Sequence, residues 1–79
     1  MLFIFENEEI QSMWMKDTLI PLDMIFISKE LDIVDTIENT KPKSTKTLLS
    51  NCASKYVLEI NAGLCEQHGI RFCDKVELI

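Results

Sequence analysis

Glycine and proline are scarce in this 79-residue chain, with two of each, and it holds one histidine, one tryptophan and one tyrosine. With Gly63 and Gly69 the only glycines, there is no glycine-rich loop to cradle a phosphate. A membrane-spanning helix needs ~20 consecutive apolar residues, and apolar runs such as Met24 to Ile27 fall far short of that. Basic residues are outnumbered, eight against thirteen acidic ones, for a formal charge of −5. They are scattered except for Lys41, Lys43 and Lys46 in one polar stretch. Nucleic-acid binding draws its affinity from a basic stripe that neutralises phosphates, so nucleic acid is not an expected partner.

Metal and disulfide chemistry are equally short of material. Cys52, Cys65 and Cys73 form no C-x-x-C pair, and only His68 could join them as a soft ligand. Zinc sites bring four ligands in close pairs, and an odd cysteine count gives no disulfide framework. No metal or cofactor is expected, and the cysteines read as small apolar residues in or near the core. No serine or cysteine sits in a nucleophile-elbow setting, and no Asp-His pattern completes a triad with His68. Glu66 and His68, two apart on a helix, face different ways and make no metal pair.

Seventy-nine residues are room for one domain, residues 1–79, with a barely sufficient core. The 47% apolar and 27% charged balance is that of a globular chain rather than a disordered one. The patterning is that of short strands. Met1 to Phe5 is an apolar run of strand length, followed by the acidic stretch Glu6 to Glu9. Gln11 to Lys16 alternates, with Met13 and Met15 on one face and Ser12, Trp14 and Lys16 on the other. Met24 to Ser28 is apolar at successive positions, as in a central strand covered on both sides. A β-branched strand over Ile33 to Ile37 pairs with it as a hairpin. Thr40 to Asn51, with Pro42, reads as a long loop. Tyr56 to Ile60 alternates, with Tyr56, Leu58 and Ile60 expected inward and Val57 and Glu59 outward. Asn61 is placed as the N-cap of a two-turn helix near residues 62–68, ended by Gly69. Lys75 to Ile79 reads as a last strand, with Val76 and Leu78 on one face. The expected fold is α+β and mainly β: a small, mostly antiparallel, twisted or barrel-like sheet of about six strands with one short helix.

Five motifs occur in order: Met1-Leu2-Phe3-Ile4-Phe5, Trp14-Met15-Lys16-Asp17-Thr18, Pro21-Leu22-Asp23 with Phe26, Val57-Leu58-Glu59, and Ala62-Gly63. Together they resemble the motif series of the domain of unknown function 192 family across nearly the whole chain. Met13, Asp17, Ser28 and Cys73 stand where that family tends to have Phe, Asn, Asp and Gly. The resemblance implies a further N-terminal segment of several dozen residues before the Met1 motif. The chain would then be the C-terminal portion of the family's domain, with at least one sheet edge uncovered. It also implies an exported or periplasmic setting, although no signal peptide is found in this chain.

Two functional readings remain. In the first, a non-enzymatic binding or accessory domain of the cell envelope presents Trp14, Lys16, Asp17, Thr18 and Asp23 as a recognition surface. An aromatic face with a few polar groups suits a glycan or peptide ligand. The blander expectation for Trp14 is a covered indole. In the second, Asp23 and Glu59 act as acid and base of a glycan- or ester-directed hydrolase. Against it, Asp23 could cap the turn after Pro21, and Glu59 could pair with Lys16 or Lys55. The binding reading is preferred, because the sequence supplies no nucleophile with its base and no metal cage. Lys41 to Lys46 reads as a solvated loop that could also meet an anionic partner.

Overall fold

The apolar run from Met24 to Ile27 lies at the centre of the molecule. In the computed structural model, which describes residues 1–71 and 74–76, the strands are β1 (Leu2–Glu9), β2 (Ser12–Met13), β3 (Leu22–Ile27), β4 (Ile33–Ile37), β5 (Leu48–Leu49) and β6 (Ser54–Asn61), followed by helix α1 (Leu64–His68). Strand β3 buries five residues in succession, Asp23 to Ile27. Consecutive strand residues point to opposite faces, so such a run requires cover on both sides. The main sheet has the order β1-β6-β3-β4, with every pairing antiparallel. It is open rather than closed into a barrel, with β1 and β4 at its edges.

Two cores sit on the two faces. Met24, Phe26 and Val57 pack with Met15 on one side, joined by half-buried Phe3, Phe5, Met13 and Leu48. The small β2-β5 sheet covers this side. Ile25, Ile27 and Ile33 pack with Cys65 of α1 on the other side, joined by Tyr56, Leu58, Ile60 and Val76. The β3-β4 turn is built without glycine. Leu31 takes a positive φ of 68°, and its N–H donates to the Ser28 carbonyl. The Ser28 hydroxyl accepts the Asp32 N–H at 3.1 Å, which offsets part of the left-handed strain.

Several sequence expectations are corrected by this arrangement. Strand β1 continues through Glu6 to Glu9 instead of ending at Phe5, with an irregularity between Ile4 and Glu9. Gln11 spans it, its amide donating to the Asn7 and Ser54 carbonyls. Only Ser12 and Met13 of the Gln11–Lys16 segment are strand, although the alternation persists. Met15 is fully buried, while Ser12, Trp14 and Lys16 are exposed. The Thr40–Asn51 loop contains β5, which pairs Leu49 with Ser12 and Leu48 with Met13. Val57, expected outward, is fully buried, because β6 is an interior strand sandwiched by both cores. Asn61 closes β6 instead of capping a helix. The N-cap is Gly63, at φ 95°, and α1 is shorter than two turns. Gly69 ends it as expected, in a left-handed conformation with its N–H turned back on the helix.

The two edges of the sheet differ. At the start of β4, Ile33 donates to the Asp74 carbonyl, Asp32 bridges to Lys75, and Val76 donates to the Leu31 carbonyl. Further along β4, the Asp35 carboxylate accepts the Asn51 N–H. The expected last strand is represented here by that isolated bridge alone, since residues 77–79 lie outside the described part. At β1 the second side of the ladder has no strand partner among the described residues. Its charged half, Glu6 to Glu9, is exposed, as is usual where an edge must resist unwanted pairing.

Phe26 is the largest fully buried side chain and lies at the centre of its core. Phe26→Ala is expected to lower stability by about 3–5 kcal/mol. Urea unfolding would show this as a lower midpoint at an unchanged slope, whereas a shift of a few tenths of a kcal/mol would contradict the two-core description.

Candidate functional site

The two carboxylates singled out from the sequence stand on opposite faces of the main sheet. Directly opposed residues in an antiparallel pair share a face. Met24 is opposite Glu59 and Asp23 is opposite Ile60, so Glu59 lies on the Met24 side and Asp23 on the Ile25 side. These two residues therefore do not form a facing acid-base pair of the kind glycoside hydrolysis uses.

Asp23 is not at the surface either. It is fully buried, and both carboxylate oxygens are engaged. Oδ1 accepts the Asn39 N–H at 2.9 Å, and Oδ2 accepts the Gly63 and Cys65 N–H groups at 3.0 and 3.1 Å. The last two belong to the first turn of α1, where unpaired N–H groups and the helix dipole favour an anion. Burial alone would raise the carboxyl pKa. The bonds from Asn39, Cys65 and Gly63, together with the Cys65 thiol, outweigh it and hold Asp23 below its ordinary value. Asp23 is thus a structural anchor and leaves the recognition surface expected of it. The Cys65 thiol is pushed up to about 11 by burial and by the negative charges of Asp23 and Glu38, which makes it unreactive. Cys52, expected near the core, is exposed. Partial burial pushes the Glu59 carboxyl above its usual range, opposed by the Met1 ammonium group.

The remaining residues do reach the surface. Trp14 is 55% exposed, and the Lys16 ammonium sits 5.4 Å from its ring centroid. The indole lines a shallow pocket of about 220 Å³ with Ser12, Met13 and Thr47. Pairing of β2 with β5 positions it, because the fully buried Met15 beside it fixes the alternation that turns Trp14 outward. Asp17 and Thr18 open instead onto a second depression of about 540 Å³, shared with Leu19, Ile20, Glu59 and Asn61. The single surface expected from the sequence is therefore two neighbouring ones. Thr47 was missed, since a two-residue strand in a polar loop leaves little periodicity to read. His68 is exposed in the last turn of α1, away from these residues in the fold.

The loop opposite Trp14 is held by backbone bonds. Thr40 is buried, and its hydroxyl accepts the Leu22 N–H and lies 2.9 Å from the Leu22 carbonyl. The Lys43 N–H donates to the Thr18 carbonyl at 2.9 Å, and the Met15 N–H donates to the Ser44 carbonyl at 3.2 Å.

Removing the Asp23 charge tests the anchor. Asp23→Asn is expected to cost about 1–3 kcal/mol at pH 7, since a neutral amide offers one acceptor where three N–H groups converge. A carboxyl whose folded pKa is depressed contributes stability above its unfolded pKa and loses it as pH falls through the folded value. The gap between wild type and variant should therefore narrow as pH drops below about 4, the ordinary value for Asp. Thermal unfolding across pH 2–7 reads the gap, and a pH-independent difference would contradict the anchoring role.

A profile of the domain of unknown function 192 family, described as "Uncharacterized ACR", matches residues 1–78. A crystal structure of a protein of unknown function from Novosphingobium aromaticivorans is 34% identical, with a TM-score of 0.92 over 98% of this chain and 55% of that one. A crystal structure from Sinorhizobium meliloti, described as "a putative transcription regulator", is 39% identical, with a TM-score of 0.92 over 96% of this chain and 59% of that one. The chain thus spans between half and three fifths of the length of these two proteins. No curated protein matches it. With a profile match over almost its whole length and these two likenesses, the chain belongs to the domain of unknown function 192 family.

Proposed function

We propose that this is a non-enzymatic binding domain acting in the cell envelope, which takes a glycan or peptide ligand on the surface around Trp14. The observation that carries the reading is the exposed indole. A large aromatic ring left half open to water, with a lysine against it and hydroxyl-bearing Ser12 and Thr47 along the same pocket, combines stacking area with hydrogen-bonding groups. The buried Met15 and the β2-β5 pairing hold that ring on a short sheet, so little ordering is required when a ligand arrives. Lys16 belongs to this surface through its contact with the ring, and Asp17 and Thr18 border it on the second depression. The envelope setting rests on the family resemblance alone. The regulator description of the Sinorhizobium relative is not extended to this chain, because a formal charge of −5 disfavours binding to a nucleic-acid backbone.

Titration of neutral and charged glycans and of short peptides, followed by the fluorescence of the single tryptophan, tests the proposal. A ligand of this surface should change the emission saturably, and Trp14→Ala should weaken its binding about tenfold or more when measured by calorimetry, a loss of about 1.4 kcal/mol. An unchanged emission across the whole panel would remove the reading.

A further inference from the structure

Half of the chain's eight basic residues lie on Trp14's own segment or on the loop bonded to it. Lys16 lies against the indole, and Lys41, Lys43 and Lys46 belong to the loop that backbone bonds fasten to the Met15–Thr18 segment. All four are exposed. Among the described residues the one ion pair is Lys75 with Asp32, so none of these four is neutralised by a carboxylate contact. The loop holds Lys43 in a left-handed conformation, φ 61°, which a non-glycine residue adopts only where surrounding bonds hold it. Its N–H is bound by the Thr18 carbonyl, and the Ser44 carbonyl is bound by the Met15 N–H, on either side of the strained peptide. An otherwise acidic protein thus fastens a lysine-bearing loop, by its backbone, to the segment that follows its exposed aromatic ring, with Lys16 on the ring itself.

From this juxtaposition we infer that the ligand of the Trp14 surface is an anionic glycan, a carbohydrate bearing carboxylate, sulfate or phosphate groups. The inference rests on the binding reading above and narrows its ligand class. The indole and the hydroxyls of Ser12 and Thr47 take a sugar ring on the shallow pocket that they line. Lys16, Lys43 and Lys46 take the negative groups, with Lys41 at the margin. A nucleic acid shares the charge but fits less well. Single strands are bound along grooves with several stacking rings in succession, whereas this patch has one tryptophan and sits on a chain of net charge −5.

The test uses the intact chain and Trp14 emission, with polygalacturonate and dextran sulfate as carboxylate and sulfate probes, neutral dextran, and an oligothymidylate. Saturable binding of at least one anionic glycan is expected, weakening roughly tenfold as NaCl rises from about 50 to about 300 mM. Lys43→Gln and Lys46→Gln should each weaken it roughly two- to fivefold. Lys29→Gln, in the β3-β4 turn outside the patch, should leave it unchanged. The two glycan arms tell carboxylate from sulfate recognition. Binding of neutral dextran with equal affinity, or salt-independent binding, overturns the anionic assignment while leaving the Trp14 surface in place. Tighter binding of oligothymidylate than of either glycan overturns the choice of a carbohydrate. An equal loss in Lys29→Gln would show attraction without a site, and silence from every probe would remove the surface together with its ligand class.

Discussion

One buried carboxylate ties together the parts of the molecule that do not belong to its main sheet. Asp23 lies on the central strand, and its two oxygens collect N–H groups from Asn39 and from Gly63 and Cys65. Those three groups mark where the chain leaves β4 and where α1 begins. An unpaired charge in a low-dielectric interior would be costly, so the loop and the helix must both come to it. Next to it, Thr40 repeats the same device with neutral groups, closing on both backbone groups of Leu22. The loop leaves this anchor in a fixed direction and runs back along Thr18 and Met15.

The small β2-β5 sheet is the consequence. Two residues per strand cannot stand alone in water, and here they are held by the burial of Met15 and the partial burial of Met13 and Leu48 against Phe26 and Val57. The methionines and the indole are therefore two sides of one arrangement. The inward sulfur-bearing chains of Met13 and Met15 pack on that core, and the alternating position between them has to face water. The exposed tryptophan is a by-product of good packing that leaves an aromatic ring in a useful place. Glu59, a carboxylate of the same family motif series as Asp23, shares none of its environment, because one step along β6 moves a side chain to the other face.

The sequence by itself determined the elements whose signal is local and strong. The apolar run from Met24 to Ile27 had to be a strand covered on both faces, the alternation from Ser12 to Lys16 had to split Met15 from Trp14, and Gly69 had to end a helix. Each follows from the geometry of a few successive residues. The class of fold, mainly β with one short helix, was legible for the same reason, and so was the family, from motifs spaced along the chain.

What only the tertiary structure decided was which partner each residue meets. Val57 and Ile60 alternate as they should, but whether a face of β6 is solvent or core depends on strands far away in sequence, and here both faces are core. Asn61 is a good cap by composition, yet Asp23, about forty residues earlier, supplies the anion that the helix start needs. Strand β5 is invisible in a polar loop because its pairing with β2 comes from packing rather than propensity. The same long-range closure brings the lysine-bearing loop to Met15 and Thr18, on the segment that follows the tryptophan. Period-two patterning states which side chains share a face and is silent on what covers that face.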